Sequence, residues 1–231
     1  MFIFLKIISF IFSLAPRTFI IRIGKLLGWV IWKFYPHRKE TALLNLDIAF
    51  KNLSKSDKEI IVKNCYIHFS IILMDFIISR SLNKYKLDKI LSFPSESIEL
   101  LNSSSGGIIM SGHLGNWEML LPGLGLNGFN FNVVTQTQKN NSINNYFNWA
   151  RTHLNITLIP RGGKKIKRMY KALNNKEFLG LASDQNARSK GVKIDFFGKK
   201  SSFPKGAGIF YNRIQCDVFM VLCIMNNKYK Y

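Results

Sequence analysis

Residues 106–123 read GGIIMSGHLGNWEMLLPG, and the fold turns on how they are divided. Two glycines lead into Ile108, Ile109 and Met110, a short apolar run suited to a strand covered on both faces. Ser111, Gly112 and His113 interrupt that run, and a helix is expected to open at about Asn116. The same change of period recurs downstream. FNFNVVTQ (129–136), ITLIP (156–160), EFLGLAS (177–183), VKIDFFG (192–198) and CDVFMVLCIM (216–225) read as β-rich runs. Helical stretches at 141–155, 164–176 and 204–214 separate them. Such alternation implies crossover connections, and so an α/β fold with a mixed, largely parallel central sheet flanked by helices.

Upstream the pattern is helical. HRKETALLNLDIAF (37–50) and NLSKSDKEIIVKNCYIHFSIILMDFIIS (52–79) place apolar residues three and four apart, with Ser54 or Ser56 as the cap before the second helix. Ser92, Pro94 and Ser95 suggest a bend. The first fifteen residues, MFIFLKIISFIFSLA, are apolar apart from Lys6 and a few serines. They fall short of the ~20 residues a bilayer span needs. Their charge lies inside the apolar run and no small-x-small cleavage site follows, so the segment is expected to stay on the chain. In TFIIRIGKLLGWVIWKFYP (18–36), Arg22, Lys25 and Lys33 can form one basic edge, and Trp29, Trp32 and Tyr35 favour a membrane interface. The division expected is a membrane-anchoring helical segment at 1–35, a helical region at 36–95 and an α/β core at 96–231. Against the anchor stands a plainer reading, in which both helices are simply buried.

His113 lies where a strand hands over to a helix. In open α/β sheets ligands bind beyond the carboxyl ends of strands. Five residues separate His113 from Glu118, which on one continuous helix would turn them about 140° apart. With His113 in the turn and Glu118 in the first helical turns, the carboxylate could reach the imidazole. It would then fix the ring's tautomer and make it a general base toward a hydroxyl. Gly112 and Gly115 suit either close backbone approach to a substrate or turn geometry, and the N–H groups opening the helix could steady an oxyanion. Asn116 suits either a cap or a donor to substrate. Ser111 has no elbow motif around it, and neither GxSxG nor GxxxxGK[ST] occurs.

Two further strand ends carry polar groups. ITLIPRGGKKIKRMYKALNNK (156–176) puts Arg161 at a strand end ahead of Lys164, Lys165, Lys167, Arg168 and Lys171. That is an anion site in outline, suited to a phosphate on a lipid or on a carrier's pantetheine arm, though the individual lysines also read as a solvated face. Asp184 follows EFLGLAS and could orient Arg161 or a loop.

The 231 residues hold 33 Lys+Arg against 13 Asp+Glu, a formal charge of +20, and 47% are hydrophobic. That hydrophobic share excludes a disordered polycation. The charge suits nucleic acid, anionic lipid or an acidic protein, and the abundance of Lys, Asn, Ile and Phe also fits a base-composition bias. Nucleic acid is disfavoured because the aromatics lie in apolar runs and no RNP, KH or zinc-finger pattern occurs. Cys65, Cys216 and Cys223 lack metal-ligand spacing and are expected to be buried thiols in a reducing compartment.

An ordered series of stretches resembles the bacterial lipid A biosynthesis acyltransferases, which add secondary acyl chains to lipid A precursors. It comprises the apolar amino terminus, NLDIAF (45–50), HFSIILMDFI (68–77), SGHLGNWE (111–118) with its His-x4-acid spacing, IPRGG (159–163), SDQN (183–186) and FFGKKSSFPKGAG (196–208). The resemblance implies attack by a substrate hydroxyl on an acyl thioester. His113 would be the base, Glu118 its partner, and Arg161 the holder of the reacting groups or a phosphate. Apart from the resemblance, Asn116 and Gly115 at the helix opening and Asp184 at its strand end are further candidates for substrate contact. The resemblance also implies an acyl carrier protein or CoA thioester as cosubstrate, no further cofactor and no metal. The acceptor would be a glycolipid at the cytoplasmic face of the inner membrane, among its lipids. Members of the family usually continue beyond the equivalent of Tyr231, so the chain is expected to be shortened. Another phospholipid or glycolipid acceptor, or a non-catalytic basic membrane-binding protein, are the alternatives.

Overall fold

The computed structural model describes residues 1–231, the side chain of Lys164 excepted. Six helices come first: α1 (Phe2–Leu14), α2 (Arg17–Phe34), α3 (Lys39–Ala49), α4 (Lys55–Ser79), α5 (Lys84–Asp88) and α6 (Ser95–Ser103). Ser54 caps α4, its hydroxyl accepting the Asp57 N–H at 3.1 Å. α2 and α4 pack closely because glycine stands at the crossing: a Cβ on Gly28 would lie 2.5 Å from the Ile67 Cα. Ile20, Met74 and Ile78 are buried together in this seam, each contributing about 1.5–3 kcal/mol of apolar burial. The buried Asp75 accepts from Arg17 Nε at 3.2 Å and Nη2 at 3.0 Å, fastening the start of α2 to α4. α1 buries only Ser9, while Ile3, Phe4, Ile7, Phe10, Ile11 and Leu14 are exposed along it. Among the described residues α4 is the one helix long and apolar enough to cross a membrane. It also packs against α2 and the turn after the first strand.

The α/β half follows: β1 (Gly107–Ser111), α7 (Leu120–Gly125), β2 (Phe131–Thr135), α8 (Asn141–Arg151), β3 (Ile156–Pro160), α9 (Ile166–Asn174), β4 (Phe178–Ala182), β5 (Val192–Phe196), β6 (Lys199–Phe203), α10 (Gly206–Ile214) and β7 (Asp217–Met220). Five strands form one parallel sheet in the order β3-β2-β4-β1-β7. Apolar residues cover both faces. Ile108, Leu179 and Ile159 meet Met169 and Phe210 on one side, and Ile109, Phe131 and Phe178 meet Leu101, Leu124 and Phe129 on the other. The α/β class, the parallel sheet and the flanking helices are those the alternating pattern predicts.

Three details depart from the sequence reading. VKIDFFG does not join the sheet: β5 pairs antiparallel with β6, joined by Phe197 and Gly198. Its apolar and polar residues alternate, but neither face meets a covering layer, and every residue of β5 is exposed. A helix, α6, follows Pro94 where only a bend was expected. Of the three cysteines only Cys223 is buried; Cys216 is half-buried and Cys65 is exposed on α4. Burial and the Asp75 carboxylate push the Cys223 thiol up to about 12, so it stays protonated.

Candidate functional site

The parallel register brings Ser111 of β1 beside Ala182 of β4, so the loops leaving these strands emerge side by side. Gly112 and His113 come from the first loop, Asp184 and Gln185 from the second. Asp184 grips the first loop twice. Its Oδ2 accepts the His113 backbone N–H at 2.6 Å, and its Oδ1 lies 2.9 Å from His113 Nδ1. Gly112 makes room for this, since a Cβ there would sit 3.1 Å from the Asp184 carboxyl carbon. Burial pushes the Asp184 carboxyl up, but the side-chain and backbone hydrogen bonds from His113, with the ring's charge, outweigh it. The carboxyl ends below its ordinary value and stays ionised at neutral pH.

An ionised carboxylate against Nδ1 favours a proton on that nitrogen, which leaves the Nε2 lone pair free to accept. In the structure Nε2 is 3.2 Å from the Gln185 side-chain nitrogen. The Trp117 ring flanks the imidazole at a centroid distance of 4.7 Å, and Phe69 of α4 lies 6.0 Å beyond Trp117. His113 remains exposed, with 33% of its side chain open to solvent. Around it Leu114 and Phe69 are exposed as well. An accepting imidazole nitrogen thus stands at the sheet's carboxyl edge beside uncovered apolar side chains.

Glu118 is placed elsewhere. The helix opens as a 3-10 turn, Trp117–Met119, capped by Asn116, so His113 does lie in the turn ahead of it. The turn rolls Glu118 into the interior, where Arg151 at the end of α8 donates from Nε to Oε2 at 2.9 Å and from Nη2 to Oε1 at 2.5 Å. This is a bidentate, largely buried pair, with side chains 16% and 10% exposed. The expected Glu118 contact to the imidazole is not formed; Asp184 makes it instead.

Asn116 is fully buried. Its Oδ1 accepts the Met119 N–H, and its Nδ2 donates to the Tyr231 hydroxyl at 2.8 Å, which in turn donates to Asp75 at 2.6 Å. Its amide is enclosed in the interior, so the capping role holds and burial keeps the side chain from donating to a substrate. Gly115 has φ +68, and a Cβ there would meet the Cys223 carbonyl oxygen at 2.1 Å. The close approach it allows is to the chain after β7, where the Asn116 N–H donates to that carbonyl at 2.7 Å. That N–H is therefore spent and cannot serve an oxyanion.

Arg161 ends β3 on the same sheet edge, its backbone N–H donating to the Thr135 carbonyl at 2.8 Å. Its side chain is exposed and makes no hydrogen bond or ion pair among the described residues. Two strands, β2 and β4, stand between β3 and β1, a backbone separation of about 14 Å at ~4.8 Å per strand. Asp184, at the end of β4, gives its carboxylate to His113 and makes no contact with Arg161 among the described residues, so the expectation that it orients Arg161 is not met. Of the basic run behind it, the Lys164 side chain lies outside the described residues, and Lys165, Lys167, Arg168 and Lys171 are exposed. Among the described residues no three His, Cys, Asp or Glu side chains gather as a metal site.

Asp184 as the imidazole's partner, Trp117 and Gln185 are what the sequence reading missed in these roles. Asp184 and Gln185 had one signal, a polar turn following a strand, but their neighbour in space depends on strand order. A second histidine offers a contrast. His153 is buried with no partner for Nε2 among the described residues. Burial, reinforced by the Arg80 charge, holds it down to about 4 against a hydrogen bond at Ala150. It is neutral and enclosed.

A family model described as bacterial lipid A biosynthesis acyltransferase matches residues 1–231, the whole chain. No curated protein matches it.

Proposed function

Because the chain belongs to the bacterial lipid A biosynthesis acyltransferase family, we propose that it transfers a fatty acyl group from a thioester to a hydroxyl of a lipid A precursor, with His113 as general base and Asp184 as its partner. The observation that carries this is the Asp184 contact to His113 Nδ1, which leaves an accepting Nε2 at an exposed strand end.

In the reaction the acceptor hydroxyl displaces the Gln185 amide from Nε2 and gives up its proton there as its oxygen attacks the thioester carbonyl carbon. Asp184 holds the ring and stabilises the imidazolium. Collapse of the tetrahedral adduct breaks the carbon–sulfur bond, and the imidazolium returns the proton to the departing thiolate. The products are an ester and a free thiol, and no cofactor is consumed. Arg161, ~14 Å along the edge, suits a phosphate remote from the reacting oxygen, either on the acceptor or on the donor's pantetheine arm.

The donor is an acyl carrier protein or CoA thioester. An acidic carrier fits a chain of net charge +20. The exposed apolar row on α1, with Trp29 on α2 and Tyr35 just past its end, supports attachment to the cytoplasmic face of the inner membrane.

The experiment is direct. The purified chain is mixed with acyl carrier protein or CoA thioesters and vesicles containing a hydroxyl-bearing lipid A precursor, and products are weighed by mass spectrometry. The expected result is one added acyl mass on that precursor and release of one thiol. Equal or better acylation of a lysophospholipid in the same vesicles would move the acceptor to that class. Absence of product from every donor and acceptor would refute acyl transfer.

A further inference from the structure

We propose that the β5–β6 hairpin is a membrane-inserting element: its Phe196–Phe197 tip enters the acyl boundary of an anionic bilayer, and the lysines around it meet head-group phosphates. The consequence, delivery of the site's mouth to the lipid surface, rests on the acyl-transfer reading; the insertion itself is tested without turnover.

The hairpin stands off the sheet. Val192, Ile194, Phe196 and Phe197 are 45–53% exposed, although a polar strand would pair there equally well. Phe196 and Lys199 close the ladder, so Phe197 and Gly198 form a two-residue turn with φ 51 and 70. A turn of this type prefers Asn or Asp followed by Gly, and a bulky residue at positive φ is uncommon. Phenylalanine is therefore held at the outermost point of the hairpin against local preference, a cost that water-facing packing does not return.

Charge selects the partner. From Ala187 to Lys205 there are six basic residues, Arg188, Lys190, Lys193, Lys199, Lys200 and Lys205, and one acid, Asp195. Lys200 already engages that acid at 2.7 Å, which leaves Lys199 beside the aromatic tip, Lys193 along the strand, and Arg188, Lys190 and Lys205 at the base of the hairpin. An aromatic tip ahead of a basic stem matches the layered polarity of an anionic lipid surface, where each basic group near the surface adds attraction. The tip also continues a larger apolar surface. The Phe197 ring lies 6.3 Å from that of Phe50 at the end of α3, and Leu44, Ile48 and Phe50 are exposed on that side. The chain reaches the hairpin from Asp184 and Gln185, so seating the tip in lipid would place His113 close to the bilayer.

The test uses the full chain with Cys65→Ser and Cys216→Ser, leaving the buried Cys223. A cysteine introduced by Phe197→Cys, or by Ser105→Cys at the opposite edge of the sheet, carries an environment-sensitive fluorophore. Vesicles are phosphatidylethanolamine–phosphatidylglycerol or phosphatidylcholine alone. Position 197 is expected to shift to the blue on the anionic vesicles and to be quenched by nitroxides on the acyl chains, while position 105 stays water-like. Phe196→Ser/Phe197→Ser and Lys199→Glu/Lys200→Glu are each expected to weaken binding to anionic vesicles by about tenfold or more. A water-like signal at 197 on vesicle-bound protein would overturn the proposal. So would protection of 197 by an acidic carrier protein and not by lipid. If insertion holds while no donor or acceptor reacts, acyl transfer fails and the hairpin's role stands.

Discussion

An alanine at position 113 is expected to lower kcat by about two to four orders of magnitude, the usual range for a general base removed from a reaction that needs it. His113 is exposed, and its backbone N–H reaches Asp184 whatever side chain it carries. The structural losses are the contact with the Trp117 ring and the solvent-exposed Nδ1 bond to Asp184, so stability should fall by about 1 kcal/mol. For a chain of this size that moves the melting temperature by only ~2–4 °C. Vesicle binding depends on other elements and should be unchanged. Wild-type turnover from His113→Ala would remove the imidazole from the reaction.

A second large effect separates the two carboxylates. Asp184→Asn should reduce kcat as severely as the loss of His113, about two to four orders of magnitude, because it imposes the wrong tautomer. The reason is local. The backbone N–H of His113 needs an acceptor, and the amide oxygen of the asparagine will take that place. Its NH2 group then faces Nδ1 as a donor and drives the ring proton to Nε2, where a substrate hydroxyl would have to be deprotonated. Glu118→Gln acts differently. Its cost falls on stability, about 2–3 kcal/mol, because the buried Arg151 loses its carboxylate. Well below its melting temperature the variant should keep kcat within about tenfold, or 1.4 kcal/mol of barrier. Adding Arg151→Met should return part of the lost stability, as removing both members of a buried pair does. Single-turnover rates and thermal melts of the three variants distinguish the two roles. A dead Glu118→Gln beside an active Asp184→Asn would reverse the assignment.

The difference between these acids shows where the sequence is readable. Ile108, Ile109 and Met110 announce a covered strand by composition alone, and with the strand comes the position of His113 at its end. Glu118, five residues on, looks like the imidazole's partner because local spacing is all that a linear reading measures. The 3-10 turn that rolls it toward Arg151 depends on Asn116 finding Tyr231 and the Cys223 carbonyl, contacts spread over more than a hundred residues. Asp184 is 71 residues from His113. It arrives there because β4 is inserted beside β1, and the parallel order β3-β2-β4-β1-β7 is not encoded in hydrophobic period. Arg161 is legible as a strand-end cation for the same reason as His113, whereas its distance from His113 follows from that order. The hairpin shows the converse: VKIDFFG has the period of a strand, but periodicity cannot say that no layer covers it.

The central claim, that Asp184 sets the proton on His113, is tested most directly by histidine-selective 15N NMR of the wild type and of Asp184→Asn and Glu118→Gln. His113→Ala identifies the signal among the four histidines. The expected neutral form carries its proton on Nδ1 in the wild type and in Glu118→Gln, and on Nε2 in Asp184→Asn. A wild-type ring protonated on Nε2, or a tautomer that changes with Glu118 and ignores Asp184, would contradict the account.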